Sequence, residues 1–241
     1  MGSGEGKIKI YRLPETLRAL AFDMDLTLYS SPEYGQFQVD ILIERLGKLK
    51  GLGFGEMNRE IEDKRKNWQL SHNSAKPCLS EIFCDCGISI EENVAWRNEL
   101  FEPEKYLCKD ELLVKTLSGL SSFFTLGVIT NNPVLVARKT LAVLGVEAYF
   151  SVLVGLDTCL KSKPHKEPFL KFSQLANFPA ETCVSIGDRY DIDIRVPLEI
   201  GMGGILVDGV EDVYRLPELF TAGTIDLPDR KNRPIINHGF K

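Results

Sequence analysis

The chain has no long apolar run. Nothing in its 241 residues approaches the roughly 18 consecutive apolar residues that a membrane-spanning helix needs, so no membrane segment is expected. The first eleven residues are polar and lack the apolar stretch of a secretory signal. Gly6 stands where a myristoylation pattern wants Ser or Thr. A cytoplasmic protein is the expectation. Basic charge is scarce too: 29 Lys and Arg against 34 Asp and Glu leave a formal charge of −5, with the signs interspersed. No basic stripe offers itself to nucleic acid, and no polybasic cluster to a lipid surface. Cysteine is sparse and unpaired in rhythm, at positions 78, 84, 86, 108, 159 and 183. That suits a reducing compartment. Cys84 and Cys86 stand closer than zinc knuckles allow and no second pair follows, so buried, unligated thiols are expected in place of a zinc site. Internal repeats and low-complexity tracts are lacking as well. What remains, 44% hydrophobic and 26% charged, is ordinary globular composition, enough for a core domain with a smaller companion.

Short apolar runs recur along the chain at 19–23, 123–130, 149–154, 182–187 and 204–207, with a last short one at 224–227. They are rich in β-formers and read as strands. Helical patterns separate them at 110–120, 133–144, 167–175 and 192–200, with Pro133 as a first-turn residue and Gly145 as a stop. Strands alternating with helices imply an α/β fold, a Rossmann-like parallel sheet with right-handed crossovers. Residues 33–109 break the rhythm. Val39, Leu42, Leu46 and Leu49 mark one helical face that ends at Gly51-Leu52-Gly53, and helical patterns follow at 56–70 and 91–100. The block far exceeds a crossover, which takes a dozen or so residues. It reads as a small all-helical domain, leaving 1–32 and 110–241 as the α/β core. The tail from 229 onward is polar and peripheral.

Four polar clusters sit at or just beyond those strands. They are Asp23-Met24-Asp25-Leu26-Thr27, Thr130-Asn131-Asn132, Lys163-Pro164, and Gly187-Asp188-Arg189-Tyr190-Asp191-Ile192-Asp193. A parallel sheet gathers such residues at one edge, where ligands bind. Two carboxylates one residue apart repel unless a cation, a shared proton or a chemical task holds them. Clustered carboxylate oxygens favour a hard ion such as Mg2+, while the Lys and Thr offer donors to an anion beside it. That is apparatus for positioning a phosphoryl group and stabilising its charge.

In this order and strand context, the Asp-x-Asp-x-Thr-Leu element, the strand ending in Thr-Asn, the Lys-Pro with Phe169 after it, and Gly-Asp-x4-Asp resemble the haloacid dehalogenase-like hydrolases, specifically their phosphatase branch. The resemblance covers about 17–32 and 110–227, and the helical insertion looks like the family's cap. It implies Asp23 as nucleophile and Asp25 as acid and then base. Thr130 and Lys163, with Asn131 as a further candidate, would hold the phosphoryl oxygens. Asp23, Asp188 and Asp193 would hold Mg2+ together with the backbone carbonyl of Asp25. Leu26 replaces the small or polar residue usual in the family, and Arg189 follows Asp188 where Ser is commoner. Asp191 competes with Asp193 for the supporting role. Lys161 is a rival to Lys163, though Pro164 and the spacing to Phe169 favour the latter.

Plainer readings stand beside these. Thr130 fits a helix cap, and Asn131 and Asn132 fit turn chemistry. Arg65, Lys66, Trp68 and His72 read first as a wet helix face, and His165 borders the Lys163 cluster. The expected function is hydrolysis of a small phosphorylated metabolite; nucleotides, sugar phosphates and phosphoglycolate all fit, and Thr27-Leu28-Tyr29 is similar to nucleotidase-like relatives. Phosphomutase activity uses the same motifs. Dehalogenation of a 2-halo acid needs no second Asp, so Asp25 argues against it. A phosphoryl-accepting signalling module is about half this length and lacks the insertion. Oligomeric state has no signal in the sequence.

Overall fold

The computed structural model describes residues 8–71 and 77–221. Its centre is β2 (Ala19–Phe22), all four residues buried. Alternate side chains of a strand point to opposite faces, and β2 feeds two cores accordingly. Leu20 and Phe22 join one core with Leu126, Val128, Val184, Ile186 and Ile205. Ala19 and Ala21 join the other with Ile129, Val152, Phe169 and Phe172. A strand buried on both faces is apolar throughout, which is why it reads so clearly in sequence.

Six strands form one sheet. They are β1 (Lys9–Arg12), β2, β3 (Thr125–Ile129), β4 (Phe150–Val154), β5 (Cys183–Gly187) and β6 (Gly203–Leu206), in the spatial order β1-β6-β5-β2-β3-β4. β2 pairs in parallel with both β3 and β5. The chain therefore builds outward through β3 and β4, then returns to the other side of β2 with β5 and β6. That reversal is the switch point at which open α/β sheets bind ligands. β1 was not foreseen: the polar start of the chain gave no strand pattern. It pairs antiparallel with β6 at the edge, with an irregularity between Ile10 and Arg12. Its charged ends suit an edge strand, whose outer backbone must not recruit another chain. The run at 224–227 and the tail lie outside the described residues.

Between β2 and β3 the chain is helical: α1 (Pro32–Lys50), α2 (Phe54–Ser71), α3 (Leu79–Asp85), α4 (Ile90–Leu100) and α5 (Glu111–Leu120). Ser31 caps α1 by accepting from the Tyr34 N–H at 3.2 Å, and Gly51 ends it with φ +70°, a conformation glycine takes without penalty. Leu42, Ile43 and Leu46 of α1 pack with Met57, Ile61, Ile82, Phe83 and Trp96 in a cluster of their own. Trp68 packs at its margin, while Arg65 and Lys66 pair with Glu62 and Asp63 on their own helix. His72 lies outside the described residues.

After β3 come α6 (Val134–Leu144), the short α7 (Leu156–Cys159), α8 (Lys166–Ala176), α9 (Arg195–Glu199) and α10 (Val210–Thr221). Pro133 is one residue earlier than expected, at the N-cap of α6, and Asp157 Oδ1 accepts from the Val134 N–H at 3.0 Å. The single helix expected at 192–200 is instead a wide π-type turn, Tyr190–Ile194, running into α9. The thiols are less buried than expected: Cys84 and Cys108 are exposed, and only Cys183 is fully buried. No helix among the described residues is long and apolar enough to cross a membrane.

The turn at 190–194 lays Asp193 directly on Gly187: a β-carbon at 187 would fall 2.5 Å from Asp193 Cβ and 2.6 Å from its Cγ. We predict that Gly187→Ala costs about 1–3 kcal/mol, as overpacking does, and displaces Asp193. Thermal melts test this; an unchanged melting temperature contradicts it.

Candidate active site

Three of the four clusters found in the sequence stand at the ends of β2, β3 and β5; Lys163 comes from the loop between α7 and α8. Asp23 follows β2, and its N–H donates to Ile186 O of β5 at 2.7 Å. Thr130 follows β3, its N–H donating to Val154 O of β4 at 2.9 Å. Asp188 follows β5, and the 190–194 turn brings Asp193 back to the same place.

Lys163 joins two of these pieces. Its buried Nζ donates to Asp23 Oδ1 and to Asp193 Oδ1, each at 2.6 Å. Burial pulls the ammonium pKa down, but the Asp193 and Asp23 carboxylates outweigh it and the net direction is up. Lys163 is therefore charged. Its rival Lys161 is exposed. Asp193 is fully engaged: Oδ1 takes Lys163, Oδ2 accepts from the Arg189 N–H at 3.1 Å, and its carbonyl accepts from Ser185 Oγ at 2.7 Å. Asp191 is exposed and outside this group.

Asp23, Asp188 and Asp193 each present an oxygen within 4.8 Å of the others, the only such group among the described residues. Burial, then the Asp23 charge, pushes the Asp188 carboxyl from about 3.8 up to about 7, with Arg189 opposing. Asp23 Oδ2 and Asp188 Oδ1 are buried with no hydrogen-bond partner. Arg189 Nε approaches the latter only to 3.7 Å. Two buried, unsatisfied carboxylate oxygens are costly unless something cationic meets them. Hard oxygen donors in this number fit Mg2+, which takes few protein ligands and keeps its waters.

Asp25 has a separate environment. Tyr29 Oη donates a short hydrogen bond to Asp25 Oδ1, Gln38 Nε2 donates to the same oxygen at 3.1 Å, and Asn132 Nδ2 donates to Oδ2 at 2.9 Å. Burial, then the Asp23 charge, still raises its pKa. Leu26, at φ +59°, makes the tight turn that carries the chain from Asp25 toward Tyr29.

Thr130 Oγ1 accepts from the Asn132 N–H at 3.1 Å, which leaves its own proton free to donate. Asn131 differs from the sequence reading. Its Oδ1 accepts from the Lys163 N–H at 2.6 Å and its Nδ2 donates to Lys163 O at 3.2 Å, so its amide is committed to the lysine backbone and not turned to a phosphate. His165 is exposed, with Nε2 3.6 Å from Glu81.

Sequence reasoning missed Tyr29, Gln38 and Arg97 as site residues, and weighed Asn132 only as a turn residue or a substrate contact. Gln38 carried one signal: with Tyr34 and Leu42 it forms a four-residue-spaced, buried stripe on α1. Arg97 of α4 is buried. Its Nη1 donates to Asn132 Oδ1 at 2.7 Å, its Nε to Asn93 Oδ1 at 2.6 Å, and its Nη2 to Ser80 Oγ at 3.4 Å. Burial pulls its pKa down to about 10.

A doubly wound sheet with a lysine-bridged carboxylate cluster at its switch point defines an α/β enzyme. A family model described as haloacid dehalogenase-like hydrolase matches residues 20–207, and the chain belongs to that family. A phosphoglycolate phosphatase of Colwellia psychrerythraea is 37% identical over 79 residues, which span 33% of this chain but only 35% of the relative's length. A glyceraldehyde 3-phosphate phosphatase of Methanocaldococcus jannaschii is 27% identical over 77% of this chain and 82% of its own. The crystal structure of a HAD phosphatase from Thermococcus onnurineus aligns with a TM-score of 0.54 at 18% identity, covering 85% of this chain and 98% of that one. At that identity the likeness speaks for the fold.

The raised Asp188 pKa gives a metal prediction. A carboxyl raised from about 3.8 to about 7 favours the folded state when protonated. Its contribution is full at low pH and is lost as pH rises through about 7. A metal ligand must instead be deprotonated. Saturating Mg2+ should therefore raise the melting temperature by roughly 5 °C at pH 8, and by much less at pH 5.5. Asp188→Asn should melt higher than wild type in metal-free pH 8 buffer and lose the Mg2+ shift. An equal shift in both proteins removes Asp188 from the ligand set.

Proposed function

We propose that this chain is a Mg2+-dependent phosphomonoesterase that hydrolyses a small phosphorylated metabolite through a phosphorylated Asp23, with the helical block at 33–109 serving as a cap. The observation that carries this is the Lys163 ammonium 2.6 Å from both Asp23 and Asp193, beside two buried carboxylate oxygens left without partners. The phosphatase names of the relatives support the same reading.

Asp23 and Asp188, with Asp193 behind them, would hold Mg2+, which supplies positive charge against the phosphoryl oxygens. Lys163 fixes Asp23 in direction through its hydrogen bond, and its remaining N–H is available to a phosphoryl oxygen. Thr130 Oγ1 donates to another, because its acceptor side is already taken by Asn132. One Asp23 oxygen attacks phosphorus; the bond to the leaving oxygen breaks, and Asp25 gives that oxygen its proton. A water then attacks the phosphorus of phospho-Asp23 and gives its proton to the Asp25 carboxylate. Inorganic phosphate leaves and both aspartates return to their starting states. Asp25 suits the first role because burial and Asp23 raise its pKa, and the second because three donors hold its oxygens in place.

Steady phosphate release from a generic aryl phosphate in Mg2+, stopped by EDTA and restored by Mg2+, tests the function. Asp23→Asn should abolish release while still giving a folded protein with a cooperative thermal melt. A folded Asp23→Asn protein that keeps most of its activity removes Asp23 as nucleophile. Asp25→Asn should lower kcat/KM, which reads the transfer to Asp23 and not the later hydrolysis, by about 100- to 10,000-fold for an alkyl phosphate, and by far less for p-nitrophenyl phosphate, whose leaving group needs no proton. Equal losses on both esters refute the acid role.

A further inference from the structure

The charge on Arg97 is buried with only neutral hydrogen-bond partners, over the ring of Phe101 at 5.6 Å. The residue is 7% exposed, and its acceptors are an asparagine oxygen on α4, an asparagine oxygen in the loop after β3, and a serine hydroxyl at a long 3.4 Å. No carboxylate among the described residues forms an ion pair with it. Two ionisable neighbours act on it without pairing with it: Cys78, whose thiol burial pushes up to about 11 so that it stays neutral, and Asp25, whose carboxyl stands across Asn132.

Donors outnumber acceptors here. A guanidinium carries five N–H groups in a planar fork and accepts nothing, and three acceptors meet them. Asn93, which gives its oxygen to Arg97, has a buried Nδ2 with no acceptor of its own. An environment that is cationic, rich in donors and short of acceptors is complementary to an anion. A clasp between α4 and the sheet needs only a neutral amide, which is far cheaper to desolvate than a guanidinium.

Asn132 sets where that anion sits. Its Oδ1 accepts from Arg97 and its Nδ2 donates to Asp25 Oδ2. The guanidinium therefore stands one amide group away from the carboxyl proposed to protonate the leaving oxygen. We propose that Arg97 is a specificity-determining residue that binds a carboxylate on the leaving alcohol, a carbon or two from the ester oxygen, so that the substrate is a phosphorylated short hydroxy acid. This rests on the phosphatase reading. It also separates the two activities named for the relatives: glycolate carries such a carboxylate, and glyceraldehyde does not.

The test is kcat/KM in Mg2+ for 2-phosphoglycolate, ethyl phosphate and glyceraldehyde 3-phosphate, in wild type, Arg97→Met and Arg97→Lys. Ethyl phosphate has the same two-carbon leaving group without the carboxylate. Wild type should prefer phosphoglycolate to ethyl phosphate by about 100-fold or more, and Arg97→Met should cut that ratio by about 10- to 100-fold, the worth of a charge-assisted pair. Arg97→Lys should fall between, keeping the charge but not the fork. Reading a ratio removes any general damage to folding or to Asp25, which touches both esters alike. Equal losses on both esters overturn the assignment. So does a wild type that hydrolyses ethyl phosphate without preferring phosphoglycolate, and in that case the phosphatase reading stands. Failure to hydrolyse any phosphate ester brings down the phosphatase reading itself. If Arg97→Met does not fold, two wild-type measurements decide: the substrate ratio, and competitive inhibition of ethyl phosphate turnover by glycolate but not by ethanol.

Discussion

One ammonium between two carboxylates governs the rest of the structure. Lys163 holds Asp23 and Asp193 at hydrogen-bond distance in a place closed to water. Buried ion pairs contribute little net stability, because desolvating the charges consumes most of the Coulombic gain, yet removing one partner costs about 3–5 kcal/mol. Such a group is therefore weak evidence for stability and stronger evidence for a task. The surroundings agree. Asp188 adds another acid whose pKa is already pushed to about 7, and the cations facing the group are Lys163 and Arg189. A buried cluster with more acid than base favours a further cation, and its two unsatisfied oxygens are the atoms that would meet one.

Holding that cluster takes several devices, each at a strand end. The parallel pairing of β2 with β3 and β5 sets Asp23, Thr130 and Asp188 side by side. Asn131 grips both polar groups of the Lys163 backbone, so the loop carrying the lysine is tied to the loop carrying the threonine. The absence of a side chain at Gly187 lets Asp193 fold back against the end of β5. Wide π-type turns often mark functional sites, and the one at 190–194 brings Asp193 to Lys163.

The central sheet was legible because its strands are buried on both faces and read as unbroken apolar runs; polar residues at their ends then stand out. β1 escaped notice because an edge strand needs little apolar character, and Lys9–Arg12 has little. The π-type turn escaped because Ile192 and Ile194 fit an ordinary helix equally well. Asn131 was read as a turn residue or a phosphate contact, and its amide bonds the Lys163 backbone, since an asparagine at a strand end satisfies a phosphate or a backbone equally in sequence. Arg97 was invisible for another reason. The stretch Ile90–Leu100 contains Glu91, Glu92, Arg97 and Glu99, and so looks like a solvated surface. Only docking against the loop after β3 turns one of those charges inward, and docking leaves no trace in periodicity.

One link between the helices and the sheet runs through Asn132, and electrostatics fixes its orientation. With Oδ1 toward Arg97 and Nδ2 toward Asp25, Asn132 makes two favourable contacts. Flipped, its amide would set N–H groups against a guanidinium and an oxygen against a carboxylate, and lose both. The orientation thus follows from the charges on either side. Gln38 adds a second link, since its Nε2 donates to Asp25 while its Oε1 accepts from Asn132 Nδ2 at 3.3 Å. Asp25 therefore takes its donors from its own loop, from α1 and from the loop after β3, and that last donor is oriented by α4. Displacement of α1 or α4 would change the number of donors on Asp25 and with it the ease of giving up a proton. Placing the helical block directly after the first acidic motif has a physical consequence: in the proposed mechanism, the elements that would meet the leaving group are the same ones that set the acidity of Asp25.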